Sequence, residues 1–255
     1  MSQRWVVKAG SQMVCSGGPI LLRAWMQQVA QLKKRHGVEV IWVTSGAIAS
    51  AVDRTEFKKH NRKLEEKQAL SAIGQPMVMD LYNLALKANG LTGAQILLTA
   101  DDLANATRRR NFQNTVETLL KWNVTPILNE NDAIATEEIR FGDNDSLSAK
   151  VAKYTDSDRL IILTDVDGLY DSDPKKNRNA KLVWELEKVS ARILSGVSNQ
   201  GGSSRGTGGM FSKLKAAQEA SKSKIETWLA KGDRPSVLLE IARDEKVGTR
   251  IGKRR

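Results

Sequence analysis

Short apolar runs alternate with stretches of helical period along almost the whole of this chain, and that alternation narrows the fold more than any other feature. Trp5-Val-Val7, Glu39-Val-Ile-Trp-Val43, Ala94-Gln-Ile-Leu-Leu-Thr99, Val124-Thr-Pro-Ile-Leu128 and Arg159-Leu-Ile-Ile-Leu-Thr164 read as strands, being short and rich in β-branched residues. Between the first two, Leu21, Leu22, Trp25, Met26, Val29 and Leu32 recur at helical spacing from Ile20 to Arg35, and Gly37 closes that helix. Further helices are predicted from Ala47, over Lys67–Asn89 with an interruption near Pro76, and over Thr115–Trp122, Ser146–Tyr154, Met210–Ser221 and Ser236–Arg243. Ile225–Leu229 and Gly248–Ile251 read as late strands. Strands joined through helices pair in parallel and need cover on both faces. The expected architecture is therefore α/β: a three-layer αβα sandwich around a mostly parallel central sheet.

At 255 residues the chain suits one large domain. No apolar run is long enough for a signal peptide or a membrane span, so a cytoplasmic protein is expected. The single cysteine, Cys15, excludes an internal disulfide and a cysteine-rich metal site, and the only histidines, His36 and His60, lie in no triad-like pattern. The fingerprints of dinucleotide-binding and P-loop sites are missing. The net charge of +11 invites a nucleic-acid reading. The basic residues are scattered, however, apart from Lys58-Lys59, Arg108-Arg109-Arg110 and Lys253-Arg254-Arg255, and no nucleic-acid motif accompanies them. Attraction for anionic metabolites accounts for the charge equally well.

The polar residues concentrate in Asn129–Ser148, NENDAIATEEIRFGDNDSLS. A solvated acidic loop is one reading. The other is a ligand site, because the stretch follows a strand and runs into a helix, where open α/β sheets bind their ligands. Anion-binding devices stand at comparable joints. Lys8 and Gly10 follow the first strand, Ser45-Gly46-Ala47 follow the second, and Arg205-Gly-Thr-Gly-Gly209 precede a helix carrying Lys213. Glycines let backbone N–H groups approach an anion, and lysines take up charge on a transferring phosphoryl group. The intervening Ala133–Arg140 is expected to form a hairpin, Arg54–Glu66 an exposed loop, and Gly196–Gly209 a flexible or ligand-wrapping segment. The tryptophans at 5, 25, 42, 122, 184 and 228 read mostly as core or interface residues.

These motifs taken together resemble the glutamate 5-kinases of the amino-acid kinase family. The resemblance rests on Val6-Val-Lys-x-Gly-Ser11, Val43-Thr-Ser-Gly-Ala-Ile-Ala49, Ile73-Gly-Gln75, Asn129-Glu-Asn-Asp132, Phe141-Gly-Asp-Asn-Asp-x-Leu-Ser-Ala149, Leu163-Thr-Asp165 and Gly206-Thr-Gly-Gly-Met210 with Lys213. It implies ATP-dependent phosphorylation of the glutamate γ-carboxylate, the entry step of proline synthesis, with Mg²⁺ held mainly by the ATP phosphates and no protein metal site. By position it implies Lys8, Asp145 and Lys213 as the catalytic set, Asp145 holding the two lysines. Ser45, Asp132 and Asn144, with Asn129 and Asp143 beside them, would bind glutamate. Lys8, Thr164, Asp165, Thr207, Gly208, Gly209, Met210 and Lys213 would bind the nucleotide, and Gly10, Ser11 and Gly46 would form phosphate loops.

The resemblance also implies one kinase domain over residues 1–255, with the amino-acid side up to about residue 155, the nucleotide side after it, and no appended RNA-modification-type (PUA) domain. A homodimer or homotetramer is expected, with proline as a feedback inhibitor and neither membrane nor nucleic-acid partners. The sequence departs from the family pattern at Gln12, Asn111 and Thr115, and in Asn177-Arg178-Asn179. The competing readings are a kinase of the same family acting on acetylglutamate, aspartate, carbamate or a nucleoside monophosphate, and a catalytically silent nucleotide or RNA binder.

Overall fold

The computed structural model describes residues 2–57, 61–136, 143–174, 176–198 and 209–252. The elements in chain order are β1 (Arg4–Ala9), α1 (Ser11–His36), β2 (Glu39–Val43), α2 (Ala47–Arg54), α3 (Leu64–Lys87), β3 (Gly93–Leu98), α4 (Ala100–Ala104), α5 (Ala106–Lys121) and β4 (Thr125–Glu130). They continue with α6 (Asn144–Tyr154), β5 (Arg159–Thr164), β6 (Glu185–Leu186), α7 (Ala191–Ser198), α8 (Met210–Lys222), β7 (Glu226–Lys231), α9 (Val237–Ala242) and β8 (Thr249–Ile251). The strands form one sheet in the order β3-β4-β2-β1-β5-β7-β8-β6. Every pairing is parallel except that of β7 with β8. The predicted mostly parallel sheet is thus present, with the antiparallel step near one edge.

Period-two alternation divides the core between the two faces of the sheet. Trp5 and Val7 of β1, Trp42 of β2, Ile127 of β4, Ile161 of β5 and Trp228 of β7 pack with α1, α3 and α9. Val6, Ile41, Val43, Leu128, Leu160, Ile162 and Leu229 pack on the other side, with α5, α6 and α8. Each large apolar side chain so buried stabilises the fold by roughly 1.5–3 kcal/mol. The first core also carries a line of satisfied polar tips. Trp25 Nε1 donates to the carbonyl of Gly232 at 2.8 Å, while Trp42 Nε1 (2.9 Å) and Thr44 Oγ1 (3.0 Å) both donate to Tyr82 Oη. Thr44 at the end of β2 is thereby fixed from within the core.

At the amino ends of β5 and β7 the Arg159 guanidinium lies between the rings of Trp5 and Trp228, 5.1 and 6.0 Å from their centroids. Its Nε is 2.9 Å from Glu226 Oε1, which also accepts from Trp228 Nε1 at 2.8 Å. Its remaining nitrogens reach the Ile241 carbonyl and Asp244. Both members of the Arg159–Glu226 pair are buried, and the pair stands at the opposite end of the sheet from the carboxyl-terminal crevice.

Local structure departs from the periodicity reading at several points. α1 starts at Ser11, not near Ile20; it breaks at Gly18 (φ 51°, ψ −155°) immediately before Pro19, so only the second segment has clean helical spacing. α3 passes through Pro76 without interruption. Gly74, two residues earlier, lies against the backbone of α2 so closely that a Cβ there would sit 1.8 Å from the Ala47 carbonyl oxygen. α5 begins at Ala106, capped by Asn105 Oδ1. Its polar first turns hide it from a hydrophobic-period search. Arg108 there pairs with Asp101 and Asp102, and Arg109 donates to the last carbonyls of α4, so this basic run serves local structure.

The predicted loop at 54–66 is narrowed by the end of α2 at Arg54 and the start of α3 at Leu64; residues 58–60 lie outside the described residues. Of the expected 133–140 hairpin only residues 133–136 are described, following on a turn at 132–134. The expected flexible segment at 196–209 begins inside α7, and residues 199–208 are likewise outside. Trp122 and Trp184 are exposed, unlike the other four tryptophans. No described helix is long and apolar enough to cross a membrane.

Candidate active site

β1 lies between β2 on one side and β5 on the other, and α1 and α6 reach it from opposite faces. A crevice therefore opens at its carboxyl end. Lys8, one residue from that end, shares the face of Val6 and points toward α6 and α8. There Asp145, fully buried in the first turn of α6, receives Lys8 Nζ on Oδ1 at 2.7 Å and Lys213 Nζ on Oδ2 at 3.2 Å. The two lysines come from β1 and α8, far apart in sequence, and both are buried. Two ammonium groups at such a position repel each other unless a carboxylate lies between them. Burial pushes the Asp145 carboxyl upward, but Lys8 and then Lys213 outweigh burial and hold it below the usual carboxylate range. Burial, with the charge of Lys8 added, leaves the Lys213 ammonium below its ordinary value despite Asp145.

The residue before Asp145 faces a different set of groups. Asn144 Nδ2 lies 2.7 Å from the Thr44 carbonyl, 2.7 Å from Ser45 Oγ and 2.7 Å from Asn129 Oδ1. Asn129 in turn donates to Gln75 Oε1 on α3 at 2.7 Å and accepts from the Glu130 N–H. β2, β4, α3 and α6 are thus joined by one amide network. Two of its buried atoms, Gln75 Nε2 and Asn144 Oδ1, have no hydrogen-bond partner among the described residues. A buried donor and a buried acceptor left open cost about 1–3 kcal/mol each, an expense consistent with a polar ligand completing the network. Asp132 lies half-buried in the turn directly after β4, beside Ala135, whose carbonyl accepts from Gln68 Nε2. Asp143 caps α6 by accepting from the Ser146 N–H at 2.9 Å. Burial and then the charge of Asp145 raise its carboxyl above the ordinary value.

Anion-binding capacity comes from backbone groups. Gly10, Gly46 and Gly209 are the N-caps of α1, α2 and α8, and none of these caps makes a side-chain hydrogen bond. α4, α5 and α6, in contrast, are capped by Thr99, Asn105 and Asp143. First-turn N–H groups without a side-chain cap, at the positive end of a helix dipole, suit phosphate or carboxylate oxygens. Gly46 needs to be glycine, since its φ is 105° and a Cβ would meet Cys15 Sγ at 3.3 Å. Ser11 is the exposed first residue of α1.

On the β5 side Thr164 is buried and donates to Asp165 Oδ1 at 3.1 Å. Past it a cleft is lined by Tyr170, Trp184, Lys231, Arg234 and Gly248. Met210 opens α8 and packs on the second core. Thr207 and Gly208 lie outside the described residues.

The structure therefore brings Lys8, Asp145 and Lys213 together, and separately Ser45, Asn144 and Asn129. It sets Asp132, Asp143, Thr164, Asp165 and the three glycine caps around the same end of the sheet. Sequence reasoning assigned no role to Gln75 or Thr44, and took in Ser212 only as part of a nucleotide-binding stretch from Thr207 to Lys213. Ser212 Oγ is 2.7 Å from Asp145 Oδ2. Its position one residue before Lys213 was the available signal.

Comparison with known proteins agrees with this geometry. The model of the amino acid kinase family matches residues 3–231. Glutamate 5-kinase from Chromobacterium violaceum is 44% identical over 254 residues, covering 98% of this chain and 68% of that protein. Glutamate 5-kinase from Hydrogenovibrio crunogenus is 40% identical, covering 97% and 66%. The chain thus spans about two thirds of the length of these relatives. Among solved structures, isopentenyl phosphate kinase from T. acidophilum superimposes with a TM-score of 0.65 at 14% identity, over 98% of this chain and all of that one. UMP kinase from Ureaplasma parvum does so with a TM-score of 0.63 at 16% identity, over 99% of this chain and all of that one. Identities this low speak for the fold alone.

Proposed function

The chain belongs to the amino-acid kinase family, and we infer from that membership and from the site that it carries out the reaction of the glutamate 5-kinases it resembles. It transfers the γ-phosphoryl group of ATP to the side-chain carboxylate of L-glutamate, giving γ-glutamyl phosphate and ADP, the first step of proline biosynthesis. The observation that carries the mechanism is the division of labour between adjacent residues. Asn144 belongs to an amide network with open valences, and Asp145 holds two buried lysines where a phosphoryl group would pass.

In this reading Ser45, Asn129, Asn144 and Asp132 hold the amino acid, with Asp143 beside them. A free α-ammonium calls for carboxylate and amide-oxygen partners, and the α-carboxylate for hydroxyl, amide and backbone donors. The γ-carboxylate is already ionised at neutral pH and needs no general base. It attacks the γ-phosphorus in line, the bond to the β,γ-bridging oxygen breaks, and that electron pair leaves on ADP, with no proton transferred. Lys8 and Lys213 stabilise the charge that spreads over the transferring group and the leaving oxygen. Asp145 fixes both ammonium groups before substrate arrives, so little reorganisation is left for the transition state. The bare N-termini of α1, α2 and α8, with Ser11, receive carboxylate and phosphate oxygens. Thr164, Asp165 and the 207–210 segment take the nucleotide.

Mg²⁺ fits this arrangement as an ion held mainly by the nucleotide. Among the described residues no three His, Cys, Asp or Glu side chains cluster as metal ligands, and Asp145 meets a lysine on each oxygen. Bound to the phosphates, the ion would neutralise part of their charge. Residues 1–255 act as one kinase unit, with the amino-acid side before about residue 155. Ile73 and Leu84, exposed on α3, are consistent with assembly into a homo-oligomer, which light scattering would measure.

The direct test is hydroxamate detection of γ-glutamyl phosphate with purified protein, ATP, Mg²⁺ and glutamate. Parallel reactions contain acetylglutamate or aspartate, and a further set adds proline to detect feedback inhibition. Turnover with acetylglutamate but not glutamate overturns the substrate assignment.

A further inference from the structure

Ser212 stands in the first turn of α8, half-buried, with its hydroxyl between groups that compete for one proton. Its Oγ is 2.7 Å from Asp145 Oδ2 and 2.8 Å from the Gly209 carbonyl oxygen. A serine hydroxyl donates once, and a carboxylate is the stronger of these acceptors. The helical partner of the Gly209 carbonyl, the Lys213 N–H, is 3.4 Å away. Ser212 thus touches the last residue of the glycine-rich segment and the carboxylate that holds both lysines.

We propose that Ser212 is a positioning residue for phosphoryl transfer, setting the rotation of the Asp145 carboxylate and tying it to the first turn of α8. The argument rests on the division of the carboxylate's oxygens. Lys8 occupies Oδ1, while Ser212 and Lys213 share Oδ2. A carboxylate held only by two flexible ammonium groups turns about its terminal torsion, which is a broad one. The short bond from Ser212, anchored on helix backbone, removes that freedom and presents one oxygen to each lysine. This inference depends on the kinase reading above; Ser212 is not taken to touch either substrate.

The test compares Ser212→Ala, Ser212→Thr and Ser212→Cys with the wild-type enzyme in the glutamate kinase assay. Loss of a hydrogen bond to a charged group predicts a fall in kcat of roughly ten- to a hundredfold for Ser212→Ala, with KM for glutamate little changed. The groups facing Asp145 are Lys8 from β1, Lys213 and Ser212 from α8, and the neighbouring Asp143. With Ser212 removed from that set, the acid limb of the kcat profile moves to higher pH, an effect that general loosening of the helix does not produce. Ser212→Thr, which keeps the hydroxyl, restores both kcat and the limb. Thermal unfolding monitors folding, and if Ser212→Ala does not fold, Ser212→Cys serves as the weak-donor comparison with the same expectation. The proposal is overturned by a folded Ala or Cys variant with wild-type kcat and acid limb, or by a folded Thr variant as slow as Ala. A wild-type protein inactive on glutamate refutes the kinase reading instead, and that result is read without any variant.

Discussion

Gly74→Ala separates two opposing effects whose sizes can be set against each other. In a helix interior alanine is favoured over glycine by about 1 kcal/mol, so a replacement with free space around it stabilises the protein. At Gly74 there is no space. The added Cβ would lie 1.8 Å from the Ala47 carbonyl oxygen, 2.7 Å from its carbon and 3.1 Å from the Ala51 nitrogen. All three are backbone atoms of α2, so no rotamer change relieves the contact. An ordinary carbon–oxygen separation is about 3.3 Å or more, so α2 and α3 have to part by well over an ångström. Overpacking of this kind costs typically about 1–3 kcal/mol, occasionally more, and with backbone on one side the upper part of that range applies. The net loss is then about 1–2 kcal/mol, or roughly 2–8 °C in Tm for a chain of this size.

The displaced helix has a functional address as well. Ala47, the residue struck, follows Gly46 and Ser45 directly, and Ser45 Oγ is bonded to Asn144. Gln75, adjacent to Gly74, holds Asn129. KM for glutamate should therefore rise at least severalfold while KM for ATP is little changed, since misplacement by about 1 Å can cost up to a hundredfold. Thermal melts and initial-rate kinetics at saturating co-substrate measure both. A Gly74→Ala protein that melts at or above the wild-type temperature with an unaltered glutamate KM refutes the reasoning.

Asp145→Asn keeps the shape but leaves two buried lysines without a counter-charge. It should lower kcat by at least about a hundredfold while glutamate binding through Asn144 persists; unchanged turnover in the hydroxamate assay contradicts the role given to Asp145. Glu226→Ala takes the partner of the buried Arg159 Nε while Asp244 still holds the other end of the guanidinium, and should cost about 1–3 kcal/mol in urea unfolding. Arg159→Met combined with Glu226→Leu should cost less than the two single changes added together, and neither should alter KM, because the pair is at the far end of the sheet. Asp143→Asn keeps an oxygen for the Ser146 N–H, asparagine being a good cap, and removes a like charge from beside Asp145. The native carboxyl of Asp143 titrates above its unfolded value, so its ionisation opposes folding once pH exceeds the unfolded pKa. The variant should hence melt higher near neutrality, with the advantage shrinking as pH falls through the raised pKa. Melting curves across that range decide it.

Much of this was legible in the residues. Buried parallel strands announce themselves as continuous apolar runs such as Leu160–Leu163; Lys8 and Lys213 drew notice by standing at or just after strand–helix joints, and Asp145 by the family resemblance. α5 was half missed because its first turns are held by caps and charges, which leave no hydrophobic period. The break at Gly18 has a local cause, since the residue before Pro19 is kept out of the helical region, whereas α3 runs on through Pro76, and its apolar pattern does not foretell that. The partnership of Gln75 with Asn129 joins residues 54 positions apart, and the Ser212 bond to Asp145 spans 67. No spacing rule connects such pairs; only the sheet order does.

Asn144 and Asp145 are neighbours in one turn of α6, one in the amide network and the other between the two lysines. On the proposed assignment, the span between the acceptor pocket and the phosphoryl site is set by a single peptide unit, the stiffest ruler a protein has. A lineage derived from this enzyme could enlarge the pocket from the side of Ser45, Asn129 or Gln75 and admit a different side chain. It could not lengthen the reach between acceptor and donor without rebuilding the start of α6 and dislodging the lysines. Selection for new acceptors should accordingly change the pocket's far wall first, and favour compounds whose carboxylate stands as far from the amino group as it does in glutamate.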